Sequence, residues 1–339
     1  MKIALGSHVF HPAVGGIETM SMLLAQEFVR RQHEVVVVTH TPNPGPDEFP
    51  FRVLRNPSKR ELVKAVAWCD VFFQNNISLK TLWPLLLVKK PWVVRHATWI
   101  RRVDGTMAWQ DRLKRLLLRF STGISNSRAT ADDLPVPTVV IENPYRDDLF
   151  RVMPEVKKDR DIVFLGRLVS DKGPMLLLEA LHRLKSKGRS SSATFIGAGV
   201  ELESLQRQAA DWGLEQQVEF VGQKSGEELV RLLNGHRIMA VPSVWNEPFG
   251  IVALEGIACG CAVVGSEGGG LKDAIGPCGI TFRNGDVDGL RAALERLLDS
   301  PEAIRHLLEA APRHLSRHTI GFVVDRYLEV LASAAKGGQ

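Results

Sequence analysis

Glu247 and Glu255 stand eight residues apart in a segment that begins Glu247-Pro248-Phe249-Gly250-Ile251. Proline is favoured in the first turn of a helix, so a helix is expected to start at Pro248 and run through Ala258. Glu255 would then lie about two turns below Glu247 on a similar face. The N–H groups of Phe249, Gly250 and Ile251 would be unpaired first-turn donors. Carboxylates accept from hydroxyls and free N–H groups donate to them, so the element suits a polyhydroxylated ligand. The plainer alternative is an acid favoured by the helix dipole, with a second acid in solvent. Two cations, Arg167 and Lys172, fall in a segment opening Gly166-Arg167-Leu168 and closing Asp171-Lys172-Gly173. Fixed cations before a helix N-terminus could hold a diphosphate without a metal. A single loop lysine is ordinarily solvated surface; the strand, loop and helix around this one favour binding. Gly15-Gly16 and Gly197-Ala198-Gly199 could let backbone approach a phosphate closely, although either could simply be a turn.

The elements that must position these residues alternate. Lys2 to Gly6 is an apolar strand, and a helical pattern runs from about Ile17 to Arg31. Four consecutive valines in Glu34 to Thr39 read as a parallel strand buried on both faces. Asp70–Gln74, Trp92–Arg95, Gly123–Ser125 and Thr138–Ile141 continue the series. Asn143-Pro144 and the charged run from Pro154 to Asp161 interrupt it. The same grammar then restarts with strands at Ile162–Leu165, Ala193–Ile196, Val218–Val221, Met239–Val241, Ala262–Val264 and Gly279–Phe282. Helices are expected at Met175–Lys187, Leu202–Trp212, Asp288–Leu298 and Pro301–Leu315. The fold class expected is α/β: two tandem doubly wound, Rossmann-like domains facing across a cleft, since such sheets bind ligands beyond the carboxyl ends of their strands. The domains are drawn at 1–150 and 151–318, with 319–339 a C-terminal helix.

Composition narrows the chemistry. The 339 residues include 43 Lys+Arg, 38 Asp+Glu and 45% hydrophobics, an ordinary globular balance that excludes disorder and disulfide scaffolds. The longest apolar run, Leu82 to Val88, is too short to span a bilayer, and no signal-peptide pattern opens the chain. Cys69, Cys259, Cys261 and Cys278 suggest a reducing cytoplasm and buried small residues rather than a zinc site. No G-x-G-x-x-G fingerprint argues for a nicotinamide cofactor, and no D-x-D triplet suited to a metal is seen. No cofactor is expected beyond a substrate. Nine basic residues against two acids fall between residues 89 and 119, so one face of the first half meets something anionic. No nucleic-acid fold is signalled, and aromatics interleave poorly with the cations, which argues against a nucleic-acid partner.

Taken together, these motifs resemble the retaining glycosyltransferases of GT-B fold, family 4. Glu247 to Glu255 resembles the E-x7-E element of that family. The likeness extends in order over Gly15-Gly16-Ile17-Glu18, Ser125-Asn126-Ser127, Asn143-Pro144, Gly166-Arg167-Leu168, Lys172-Gly173, Gly197-Ala198-Gly199, Phe220-Val221-Gly222, Pro242-Ser243, Glu255 to Gly260 and Gly268-Gly269. The resemblance implies a nucleotide-sugar donor in the cleft. It gives the diphosphate to Arg167 and Lys172, with Gly166 in their loop and Gly15-Gly16 facing it. It gives the ribose to Glu255, the donor sugar to Glu247 and the N–H groups of Phe249, Gly250 and Ile251, and the base pocket to backbone at Val221-Gly222. His96 matches a family histidine near the sugar, but the usual Gly or Asp neighbour is replaced by Ala97. Lys172, Arg167, Glu247 and His96 are thus the catalytic candidates, and no metal is implied. The last helix is expected to cross back to the first domain. The activity implied is hexosyl transfer with retention, UDP-hexose being favoured over GDP-mannose, to a glycan or lipid-linked acceptor in polysaccharide or glycolipid synthesis. A nucleotide-sugar epimerase and a non-catalytic nucleotide-sugar binder are the alternatives.

The acceptor side rests on Trp109 to Phe120. Trp109, Leu113, Leu116, Leu117 and Phe120 share one helical face, and Arg112, Arg115 and Arg119 another. Such a helix can lie on anionic lipid, or it can pack its apolar face on the core in the ordinary way. With Trp99, Arg101 and Arg102 nearby, residues 95–120 are a candidate peripheral contact with the inner face of the cell membrane.

Overall fold

The first strand carries its side chains alternately to two faces, and both are apolar: Ile3, Ala4 and Leu5 are fully buried. A strand buried on both sides needs parallel neighbours and helical cover on each face. The computed structural model provides this twice; it describes residues 1–13, 15–43, 45–102 and 105–337. Val14 of the glycine turn, Asp104 of the basic stretch, and Gly338 and Gln339 lie outside the described residues.

The chain divides into two compact units, Met1–Ile141 with Val323–Gln339, and Glu142–Phe322. The division falls at Ile141 rather than after 150. The reason is packing: Tyr145, Phe150 and Met153 are buried in the core of the second unit.

In the first unit the strands are β1 (Lys2–Ser7), β2 (Glu34–Thr39), β3 (Arg52–Arg55), β4 (Val71–Asn75), β5 (Trp92–His96), β6 (Thr122–Ser125) and β7 (Thr138–Val140). They pair in the order β3-β2-β1-β4-β5-β6-β7, all parallel. Strand β3 is the one that sequence reading misses. It is a four-residue edge strand with arginine at each end, so no apolar run announces it. The last helix, Ile320–Gly337, packs on this sheet. Tyr327 is fully buried and meets Phe73 edge-on. Its hydroxyl accepts from Arg95 Nε at 2.9 Å, and Arg95 Nη1 donates to Asn75 Oδ1 at 2.6 Å. Asn75 Nδ2 in turn donates to the Ile17 carbonyl at 3.0 Å.

The second unit contains β8 (Arg160–Leu165), β9 (Ala193–Ile196), β10 (Val218–Gly222), β11 (His236–Val241), β12 (Ala262–Ser266) and β13 (Gly279–Phe282). Their order is β10-β9-β8-β11-β12-β13, again all parallel. The two-residue period sorts the core. Val163, Met239 and Val263 face one apolar cluster with Leu254 and Ile257. Ile162, Phe164, Ile238, Ala240 and Val264 face the other, with Leu177, Leu181 and Leu294. The segment expected as one helix from Pro301 to Leu315 is two, Pro301–Glu309 and Ala311–Leu315. Pro312 lies in the first turn of the second, where its missing N–H is tolerated. All four cysteines are buried and free. Burial pushes the thiols of Cys69, Cys261 and Cys278 up to about 11. Among the described residues no helix is long and apolar enough to cross a membrane.

Candidate functional site

In the second unit the loops after β8, β9, β10 and β11 lie side by side at the carboxyl edge of the sheet. Gly166 N–H donates to the Ile196 carbonyl at 3.0 Å, and Gly197 N–H to the Gly222 carbonyl at 2.9 Å. Leu168 is fastened on both sides, donating to the Ala198 carbonyl at 2.9 Å and accepting from Glu201 N–H at 3.1 Å. Val221-Gly222, the expected base pocket, therefore ends β10 directly beside Gly197. Pairing of β10 with β9 shifts register between Phe220 and Gly222.

The cations sit on the loop from Gly166 to Gly173. Lys172 ends a short turn, and Gly173 follows it in a left-handed conformation at φ 69°. A side chain at 173 would collide with the Pro242 carbonyl. Val244 N–H donates to the Asp171 carbonyl at 3.0 Å. The Lys172 loop is thus clamped against the segment that carries Glu247.

Lys172 Nζ lies 2.5 Å from Glu247 Oε1, and Ser243 Oγ donates to the same oxygen at 2.7 Å. Glu247 is 8% exposed and Ser243 is 1% exposed. The Glu247 carbonyl accepts from Gly270 N–H at 2.7 Å. Asn284 braces the other side: its Oδ1 accepts from Gly268 N–H at 2.8 Å, and its Nδ2 donates to the Val244 carbonyl at 3.2 Å. Arg167 is different. Its side chain is 69% exposed and only 3.6 Å from Asp171, so its guanidinium reaches into solvent at the rim.

The helix after Glu247 starts later than expected. It spans Ile251–Ala258, with Gly250 as N-cap at φ 95°. Glycine adopts that backbone conformation at little cost and other residues do not, and a Cβ there would meet Leu271 Cδ1 at 2.5 Å. Pro248 therefore belongs to a loop, and Glu255 lies in the second turn of a shorter helix. The N–H groups of Phe249, Gly250 and Ile251 have no backbone acceptor among the described residues. Burial pushes the Glu255 carboxyl up to about 7, and the nearby Arg146 guanidinium pulls it partly back. Arg146 is itself held by Asp148 through two contacts of 2.7 Å.

Sequence reading brings Lys172 and Glu247 to one ligand without expecting them to touch. It assigns no role to Arg146 or Asn284, and takes Ser243 only as a strand end. Their contacts cross long stretches of chain, and no periodicity marks them. The triplet Asp286-Val287-Asp288 is engaged elsewhere: Asp286 caps a helix by accepting from Gly289 N–H at 2.9 Å, and Asp288 pairs with Arg183 at 2.7 Å. Among the described residues no group of three His, Cys, Asp or Glu side chains is arranged to hold a metal.

The remaining candidates are in the first unit. Gly15 is extended at φ 177° and precedes the helix Gly16–Arg30. A side chain at Gly16 would point into open space, whereas one at Gly15 would overlap the Glu18 carboxylate. His96 closes β5 but is only 2% exposed. Burial, with Arg95 and Arg115 nearby, pulls it down to about 4, so it is neutral, and its Nε2 has no partner among the described residues. The helix Trp109–Leu117 buries none of its residues. Its Leu117 nevertheless lies half-buried against the first unit's core, next to the fully buried Leu118. Arg115 is also not free on its surface: it pairs with Asp133 at 3.0 Å.

Comparison with known proteins adds the following. Residues 146–314 match the family model for glycosyl transferases group 1. Glycogen synthase of Mycobacterium tuberculosis is 35% identical over 158 residues, which is 46% of this chain and 38% of the relative. D-inositol 3-phosphate glycosyltransferase of Corynebacterium jeikeium is 37% identical over 169 residues, 46% of this chain and 39% of the relative. The matches thus span about two fifths of the length of these curated relatives. Among solved structures, Anabaena Alr3699/HepE in complex with UDP superposes with a TM-score of 0.84 at 20% identity, covering 98% of this chain and 100% of that one. At that identity the likeness is one of fold.

Proposed function

From the premise that residues 146–314 belong to the glycosyl transferases group 1 family, on a chain of GT-B fold, we propose that this protein transfers a hexose from a nucleoside-diphosphate sugar to an acceptor hydroxyl with retention of configuration. The single observation that carries the reading is the cluster Lys172–Glu247–Ser243, set among unpaired N–H groups at the carboxyl edge of the second sheet.

Cleavage of the bond between anomeric carbon and phosphate puts negative charge on the leaving diphosphate and positive charge on the ring. Lys172, Arg167 and the free N–H groups can stabilise the first without a divalent ion. The acceptor oxygen bonds to the anomeric carbon on the face that the phosphate leaves, and the acceptor proton passes to the leaving phosphate oxygen. No protein base is consumed. Glu247 orients donor hydroxyls, and Glu255 accepts from the ribose. UDP is the favoured nucleotide, in line with the UDP held by the Anabaena relation of similar fold. The acceptor is a glycan or a lipid-linked glycan. Residues 95–120, with Arg112 and Arg119 exposed, would rest on an anionic membrane face from the cytoplasmic side. Flotation with anionic against neutral vesicles tests that contact, and equal behaviour in both removes it.

The deciding experiment is a panel of nucleoside diphosphates and nucleotide sugars read by thermal shift, followed by product analysis. The correct donor stabilises by about 2.7 kcal/mol at a hundredfold excess over Kd. Lys172→Ala is expected to lose about 1.5–3 kcal/mol of charge-assisted bonding, mostly in turnover. Wild-type turnover in that variant defeats the assignment, and donor binding without any transfer makes the protein a binder.

A further inference from the structure

Two hollows adjoin in the first unit. One, of about 460 Å³, sets the ammonium groups of Lys80 and Lys114, with His8, Asn76 and Gln110, against a largely apolar lining that includes Val9 and Ile77. The other, of about 840 Å³, is apolar: Leu79, Leu82, Trp83, Trp92, Leu113 and Leu117 line it. Leu79 borders both. The helix Trp109–Leu117 also serves both, giving Gln110 and Lys114, which lies 3.6 Å from Asp111, to the first and Leu113 and Leu117 to the second. That division follows from helical spacing, since positions four apart share a face.

The apolar hollow is unusual for a surface. Its size falls in the range of ligand pockets. Leu86 and Phe120 at its edge are 87% and 74% exposed, and large exposed apolar patches mark contact sites. Its rim is cationic, with Lys89 and Lys90 on one side and Arg112 and Arg119 in the helical segment opposite. None of these four has an ion-pair partner among the described residues. His8 lies close enough to Lys80 and Lys114 to be pulled below its usual value, burial contributing most. Its cationic form is therefore disfavoured beside these two ammonium groups.

We propose that the two hollows together hold one amphiphile, an acceptor whose anionic, hydroxyl-bearing head sits with Lys80 and Lys114 and whose hydrocarbon chain fills the groove floored by Trp92. Charge complementarity selects an anionic head, and the leucine and tryptophan lining selects the chain. This deepens the reading of hexosyl transfer by naming the acceptor class, a lipid-linked anion, and rests on that reading only for the molecule's role as acceptor.

The probe is a series of n-alkyl phosphates, hexyl to decyl, used below micelle formation and read by calorimetry and by the fluorescence of the groove tryptophans. Affinity is expected to rise about fourfold for each added methylene, as a buried methylene contributes about 0.8 kcal/mol. Leu117→Glu should flatten that dependence. Phe120→Glu, at an exposed edge where folding is not at risk, should weaken the longer chains selectively. Lys80→Ala and Lys114→Ala should each lower affinity roughly tenfold at every chain length, leaving the slope intact. An affinity independent of chain length overturns the proposal. So does binding only to vesicles, unaffected by both groove variants. A dimer broken by Phe120→Glu, with no alkyl phosphate bound, gives the groove to a second copy and overturns it too. Nucleotide-sugar binding, measured on the same variants, reports on the second unit. Its persistence without alkyl phosphate binding sinks the acceptor site alone, and its absence alongside alkyl phosphate binding sinks the transferase reading alone.

Discussion

Glu255 is an acid placed where its charge is unwelcome. An ordinary glutamate titrates near 4.5, and this one is pushed up to about 7 by burial. As pH rises from 4.5 towards 7, the unfolded chain gives up this proton while the folded chain keeps it. The contribution to stability is therefore fully present below 4.5 and is lost by 7, a difference of about 3 kcal/mol. Glu255→Gln should melt higher than the parent at pH 8 and match it at pH 4.5. The same variant should bind nucleoside diphosphate more weakly at pH 8, because an amide accepts less strongly from ribose hydroxyls than a carboxylate does. A parent and variant with parallel pH–melting curves would show that the side chain is hydrated after all. Lys172 and Glu247 present the complementary case. Each charge is held by the other, so neither is left bare in a half-buried place.

At the scale of elements, the loop after β8 depends on one residue without a side chain. Gly173 is left-handed, which for other residues costs about 1–2 kcal/mol, and it also abuts the Pro242 carbonyl. Gly188 shares the conformation at φ 78° but faces open space. Gly188→Ala should therefore show the backbone cost alone, whereas Gly173→Ala should lose more stability and displace Lys172, with loss of turnover. Equal melting temperatures for the two variants would remove the clamp from the account. Most elements of this kind are legible in the chain itself. Valine runs such as the one in β2 admit few readings, and glycines after strands mark the turns. What escapes is set by long-range contact. The arginines hide edge strand β3, and Pro248 advertises a helix start that Gly250 postpones. The bond from Ser243 to Glu247 becomes visible only when the loop closes. The groove beside Trp92 is invisible too, because the apolar face of Trp109–Leu117 reads equally well as core.

The whole molecule carries its basic excess in the first half, where Asp47 and Asp133 are already held by Arg55 and Arg115. The first unit also takes in a helix that follows the second unit in sequence. Arg95 is 1% exposed and binds both Asn75 and Tyr327. Tyr327→Phe removes the hydroxyl that accepts from Arg95 Nε–H at a buried site, which costs about 1–3 kcal/mol. The loss should appear in the melting of the first unit, with nucleotide-dependent stabilisation of the second unchanged. An unaltered melt would mean that water replaces the hydroxyl.

That last helix has a consequence for how the protein is made. A ribosome delivers β1 to β7 before the second sheet and the segment bearing Tyr327 only after it, whereas the second sheet emerges with all its parts in sequence. The half that is born first is therefore the half completed last. A stalled or prematurely ended translation product would expose an unfinished first sheet to the cell's quality control.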